Sequence, residues 1–375
     1  HRLTQTSPRR QAIIHITLFA VAILWLPIGL ANLQPPADGS PIFWVPWLLI
    51  ASIGPLFFVV AAQAPLMQRW YSMSGNQGEP YALYAASNIG SFGGLIAYPI
   101  LVEPFTTLQS QKWIWSGIYL ALMALVGICA IQIWRTAGAN TTPTEAAANE
   151  APIGWRRRLY WIILAAVPSG LMLSTTSHLT TDLMAMPLIW VIPLGIYLLS
   201  FSVAFADNQK PAYWISRFAP IVLIVSAAFV FVVWGKAAIG GLTASLSLLF
   251  IVAVALHNEM YRTRPAPAQL TSFYLMMSVG GVLGGFFCAI VAPLLFDWTW
   301  EHPILILMAA ALLPAIPLLR LNENDPRLPL IMVVIGMIAL ALGLFGGISE
   351  PVESSFTKIL LAATIMTLGI AVAGF

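Results

Sequence analysis

The feature that most constrains this chain is a series of long apolar runs separated by short charged or turn-forming segments. A helix needs ~20 mostly apolar residues to cross ~30 Å of hydrocarbon, and its backbone polar groups are satisfied internally. We therefore predict an all-α, polytopic membrane helical bundle of about 12 transmembrane helices. The predicted spans are residues 12–31, 42–66, 81–102, 113–134, 159–177, 184–205, 215–234, 237–256, 270–295, 303–319, 329–346 and 357–375.

Charge is scarce and unevenly distributed. Charged residues make up 8% of the chain, against about 25% in an ordinary soluble domain, which excludes that class. Of the 17 Lys and Arg residues, only Lys112, Lys236 and Lys358 fall in the loops of one predicted side. Because cytoplasmic loops carry the excess of Lys and Arg, we expect both termini to be cytoplasmic.

Two predicted helices resemble each other residue by residue. The matching pairs, each 190 positions apart, are Tyr84 with Tyr274, Asn88 with Ser278, Ile89 with Val279, Gly90 with Gly280, Ser91 with Gly281, and Gly94 with Gly284. Six crossings separate the two helices, so both run in the same direction, as in transporters built from parallel repeats. The glycines of each copy share one helical face, and we expect them to pack against neighbouring helices.

A repeat of six helices organises the chain into four parts. Residues 1–135 form a first transmembrane half of four helices, 136–155 a cytoplasmic linker, 156–320 a second half of six helices, and 321–375 an additional hairpin. Helices 5 and 6 then lack counterparts in the first half. We expect the first two helices of the first repeat to be absent from this sequence, upstream of His1.

Several ionisable residues fall at one predicted depth, near the outer ends of the spans. These residues are Glu103, His178, Asp182, Asp297, Glu301 and His302. Ionisable groups at membrane depth are costly and are functional candidates, so they predict a cation-binding or proton-coupling site. The alternative is that they cap helix ends in interfacial water.

Inside the spans, Asn88 is the candidate for an interhelical hydrogen bond or, alternatively, a substrate contact. His257 and Glu259 are expected at the cytoplasmic interface, with a spacing that does not suit a zinc pair. We identify no catalytic motif, no metal site and no cofactor site in the sequence, and nothing indicates a nucleic-acid partner.

Four parts of the chain resemble the membrane region of bacterial fused transporter-like (major facilitator-like)/spermidine synthase-like proteins. They are residues 64–70 (APLMQRW), 80–91 (PYALYAASNIGS), 177–194 (with SHLTTD and PLIWVIPL) and 273–285 (FYLMMSVGGVLGG). The resemblance implies a bacterial inner membrane location and a cytoplasmic aminopropyltransferase-like domain. This sequence has neither the Gly-rich turn nor the acidic pair of such a transferase.

Three functions remain open at this point. The chain is a transporter-like membrane domain that anchors or feeds a spermidine synthase-like domain, a secondary transporter of a small cationic solute, or a noncatalytic subunit of a larger membrane complex. Its partners are the lipid bilayer and, in the first and third cases, that cytoplasmic domain or other membrane subunits. Polar side chains within the spans are few, which disfavours the second.

The charge distribution generates a topology prediction. In a chain whose two native cysteines are replaced by Ser, we expect a membrane-impermeant thiol reagent to label cysteines at Pro36 and Ser354 from the outside. A cysteine at Ala147, in the predicted cytoplasmic linker, should stay unlabelled until the membrane is permeabilised. Labelling of Ala147 in intact cells would contradict the topology.

Overall fold

The computed structural model describes residues 3, 6–35, 41–74, 81–136, 153–180, 190–232, 238–266, 269–297 and 299–313. Within these residues the chain is helical and contains no strand. The helices are α1 (Pro8–Ala22), α2 (Pro41–Met73), α3 (Ala82–Phe105), α4 (Leu108–Thr136), α5 (Trp155–His178), α6 (Val191–Ala204), α7 (Lys210–Val232), α8 (Ala238–Arg262), α9 (Leu270–Leu295) and α10 (Glu301–Leu312).

Six of these helices are long and apolar enough to cross a membrane. They are α2, α3, α4, α5, α8 and α9, whereas α6 and α10 are shorter apolar helices. The chain is therefore a multi-pass membrane protein. Each of the first ten predicted spans overlaps one helix of the structure. The eleventh and twelfth spans, and residues 137–152 of the predicted linker, lie outside the described residues.

The described helices belong to two compact units. The first unit contains α1, α2 and α4, together with both ends of α3 and the first residues of α9. The second unit contains α5 to α8 and α10, together with Tyr84–Gly93 of α3 and the rest of α9. In the first unit, Phe19, Leu56 and Tyr119 are buried together. The Tyr119 hydroxyl donates to the Phe19 carbonyl at 3.0 Å, which satisfies a buried polar group of α4 on α1.

In the second unit, α9 lies directly against α5 at two glycines. A methyl group at Gly280 would overlap the Ile162 carbonyl oxygen and lie 2.7 Å from Ala165 Cβ. At Gly284 it would overlap the Ala166 carbonyl oxygen. Only hydrogen fits at either position, so the predicted packing role of Gly280 and Gly284 corresponds to a real backbone contact.

The other glycine pair differs from the prediction. Gly90 and Gly94 are exposed, and a methyl group at either would meet no atom within 4 Å among the described residues. The buried positions of α3 are Ala85 and Asn88, which lie on another face. Glycine permits a close helix contact but provides no attractive side-chain surface, so the pair alone does not ensure one.

The two matching helices nevertheless share local details. Each contains a five-residue π-helical segment, Tyr98–Val102 in α3 and Phe287–Val291 in α9. Asn88 Nδ2 donates to the Tyr84 carbonyl at 2.8 Å, and the matching Ser278 hydroxyl donates to the Tyr274 carbonyl at 2.9 Å. The rings of Tyr84 and Tyr274 lie 5.0 Å apart between centroids.

The N-terminal end of α5 is hydrogen-bonded to the residues that follow the C-terminal end of α8. Arg157 donates to the Thr263 carbonyl at 2.7 Å, just beyond the last residue of α8. The Trp161 indole donates to the Thr263 hydroxyl at 3.1 Å. A guanidinium at a helix C-terminus satisfies unpaired carbonyls and complements the helix dipole, so Arg157 contributes to the packing of α5 against α8.

The glycine contacts generate a paired mutational prediction. Gly284→Leu should destabilise the purified chain by about 1–3 kcal/mol or more, because α5 backbone occupies the space that the side chain needs. Gly94→Leu, the matching change in α3, should leave stability nearly unchanged. Thermal unfolding in detergent measures both, and equal effects would contradict the distinction between the two faces.

Candidate functional site

The candidate site lies where α5 ends and α10 begins. His178 is the last residue of α5, and His302 is the second residue of α10. Their rings are nearly parallel, at an interplanar angle of 14° and a centroid separation of 5.0 Å. Both side chains are buried, with 7% of His178 and 2% of His302 exposed. The structure therefore brings together two of the predicted site residues.

Ser174, one turn before His178, orients the second ring. Its hydroxyl lies 2.9 Å from His302 Nδ1 and 3.2 Å from the Leu171 carbonyl. If the single hydroxyl proton is donated to the carbonyl, the serine oxygen accepts a hydrogen bond from Nδ1–H of His302. His302 Nε2 is then an acceptor, and it has no hydrogen-bond partner among the described residues.

Glu301 directly precedes His302 in the chain. It is the first residue of α10 and is buried, at the helix end where the backbone dipole favours negative charge. It interacts electrostatically with Cys288 of α9, whose thiol donates to the Gly170 carbonyl at 3.3 Å. We call Ser174, His178, Cys288, Glu301 and His302 the His178–His302 cluster.

The remaining predicted site residues are placed differently. Asp297 and Glu103 are exposed. Asp182 lies outside the described residues. The observed hydrogen bond of Asn88 runs to Tyr84 in its own helix rather than to a neighbouring helix. A side-chain amide can donate a hydrogen bond to the backbone carbonyl four residues earlier in the same helix, so Asn88 does not need a partner on another helix.

Sequence reasoning missed Ser174 and Cys288, and it placed His257 at an interface. His257 lies five residues before the end of α8 and is fully buried within the protein, with 0% of its surface exposed. Ser174 is 128 positions from the histidine that it contacts. A serine inside an apolar helix carries no pattern that identifies such a distant partner, although its position one turn before His178 was a usable signal.

The cluster has the chemistry of a cation or proton site. It combines one carboxylate, two imidazoles and an unpartnered nitrogen lone pair, in a setting where ionisable groups are costly unless they have a role. Among the described residues, no group of three or more His, Cys, Asp or Glu side chains is arranged to hold a metal ion.

Comparisons of this chain with protein-family models, curated proteins and solved structures gave no match.

Proposed function

We propose that this chain is a transporter-like membrane domain that binds a small cation at the His178–His302 cluster. The observation that carries the proposal is the burial of the stacked histidines with Glu301 at the junction of α5, α9 and α10. Glu301 supplies negative charge, and His302 Nε2 supplies a hydrogen-bond acceptor for an ammonium N–H or a proton.

The transporter-like architecture is supported by the relation between α3 and α9. Their Asn88 and Ser278 backbone bonds and their contacting tyrosines occur at matching positions, and their π-helical segments lie within one residue of matching positions. Contact between equivalent residues of a parallel repeat is expected close to the axis that relates the two halves. We therefore propose that the chain has a parallel six-helix repeat, 12 membrane spans and cytoplasmic termini.

The wider biological role rests on the sequence resemblance. It supports a bacterial inner membrane domain that anchors or feeds a cytoplasmic aminopropyltransferase-like domain. Polyamines and diamines, the cations that such a domain handles, are flexible ammonium compounds that a buried carboxylate with imidazole acceptors would bind. A secondary transporter of a small cationic solute would use the same cluster.

Spermidine binding tests the proposal. With the full chain in lipid nanodiscs, equilibrium dialysis of labelled spermidine should show at least about tenfold weaker binding for Glu301→Gln, since a charged hydrogen bond contributes about 1.5–3 kcal/mol. Binding should also weaken as the pH falls, because protonated imidazoles repel the cation and a protonated carboxyl no longer attracts it.

Asp297→Asn provides the matched control. It removes a carboxylate four positions before Glu301, from an exposed side chain, and should change the dissociation constant less than about twofold because exposed charges are screened. The proposal fails if wild-type protein binds no spermidine, or if Glu301→Gln and Asp297→Asn behave alike.

A further inference from the structure

A second buried histidine lies on α8, outside the His178–His302 cluster. His257 has no exposed surface, although it belongs to a membrane-spanning helix. Its ring is stacked on Phe201 of α6 at a centroid distance of 3.6 Å and an interplanar angle of 18°. Tyr197, one turn earlier on α6, presents its ring edge-on at 5.5 Å. His257 is thus enclosed by aromatic side chains of a neighbouring helix.

Hydrogen bonding determines which ring nitrogen carries the proton. The Ser200 hydroxyl lies 2.6 Å from the Tyr197 carbonyl and 2.9 Å from His257 Nδ1. Two oxygens approach to 2.6 Å only with a proton between them, so the hydroxyl donates to the carbonyl. Ser200 then has only lone pairs for His257, and Nδ1–H must be the donor.

The other nitrogen is left with an unused lone pair. Nε2 of the Nδ1–H tautomer is an acceptor, and it has no hydrogen-bond partner among the described residues. An unsatisfied buried acceptor costs about 1–3 kcal/mol. A leucine at this position would avoid that cost. The imidazole is therefore a candidate for binding a proton or a ligand rather than for packing alone.

We propose that Nε2 of His257 is a proton-binding site, separate from the His178–His302 cluster. The nitrogen lone pair takes a proton from a hydronium ion: one O–H bond of the hydronium breaks as the new N–H bond forms, the ring becomes imidazolium, and a water molecule is left. Nδ1–H keeps its bond to Ser200 throughout, so uptake requires no ring rotation. The face of Phe201 stabilises the positive ring by a cation–π interaction.

Charge around the ring determines how the site responds to pH. The titratable side chain in contact with His257 is Tyr197. Other described titratable or charged groups on α8 and on the helices packed against it are Arg156, Arg157, Arg158, Tyr160 and His178 on α5, Lys210, Tyr213 and Arg217 on α7, Glu259, Tyr261 and Arg262 on α8, and Glu301 and His302 on α10. Glu259 is paired with Arg262 at 3.1 Å. No carboxylate contacts the ring among these residues, which leaves Phe201 and Ser200 as its stabilising partners.

The same arrangement occurs twice in the second unit. In both places a serine hydroxyl lies within hydrogen-bond distance of the carbonyl three residues earlier and of a histidine Nδ1, and Nε2 has no partner among the described residues. Tyr197 also hydrogen-bonds Ser169 of α5, the helix that carries Ser174. The His257 site is therefore linked through Tyr197 to α5, the helix that carries Ser174 and His178.

Nitrogen NMR of the full chain in lipid nanodiscs tests the proposal. The chain has five histidines, so ¹⁵N-histidine labelling gives few signals, and His257→Gln assigns the ring in question. At about pH 8 the Nδ1–H tautomer should be present, and Nε2 should become protonated during titration to about pH 3, because burial opposes the charged form of the ring. Potentiometric titration over that range should show one proton fewer taken up by His257→Gln.

Ser200→Ala tests the tautomer directly, with Ser202→Ala as the control. Ser200→Ala should convert the His257 signal to a mixture of tautomers. Ser202 hydrogen-bonds the Leu198 and Ala85 carbonyls instead, so its replacement should leave the signal unchanged. If His257→Gln does not fold, variants of the other four histidines assign the signal by elimination.

Three results would overturn the proposal. They are an Nε2–H tautomer in wild-type protein, no protonation of His257 while the protein remains folded, and a wild-type signal in Ser200→Ala. None of these results depends on spermidine binding. Failure of the cation-binding proposal can therefore be distinguished from failure of the proton-binding proposal.

Discussion

The backbone contact between α5 and α9 is the constraint on which the candidate site depends. Gly280 and Gly284 admit the α5 backbone where any side chain would overlap the carbonyls of Ile162 and Ala166. One turn after Gly284, Cys288 reaches the Gly170 carbonyl. This contact places α9 beside the part of α5 that carries Ser174 and His178. In lipid, where apolar side chains gain little by leaving their surroundings, such close packing is a main source of helix association.

The second unit contains two buried serine–histidine pairs, Ser174 with His302 and Ser200 with His257. Each of the two serine–histidine pairs satisfies one ring nitrogen and leaves the other without a partner among the described residues. Packing alone would favour apolar residues, because an unpaired acceptor in a membrane interior is costly. The serines orient the rings, and the free lone pairs provide the chemistry that both proposals use.

Much of the fold could be predicted because a transmembrane helix is encoded locally, in one run of apolar residues. The depth of a residue in the membrane follows from its place in that run. The sequence therefore predicts that His178, Glu301 and His302 lie at the same depth. Helix neighbours are not encoded locally. The contact of Ser200 with His257, 57 positions away, and the different surroundings of Gly94 and Gly284 depend on which helices pack together. A single sequence gives no direct signal for that pairing.

The candidate site requires the two rings of the His178–His302 cluster to contact each other inside the membrane domain. Solid-state NMR of histidine-labelled chain in lipid measures this contact directly, through dipolar coupling between imidazole rings. We expect an inter-histidine cross-peak that disappears in both His178→Asn and His302→Asn. A folded wild-type protein without that cross-peak, or with one that survives either substitution, would contradict it.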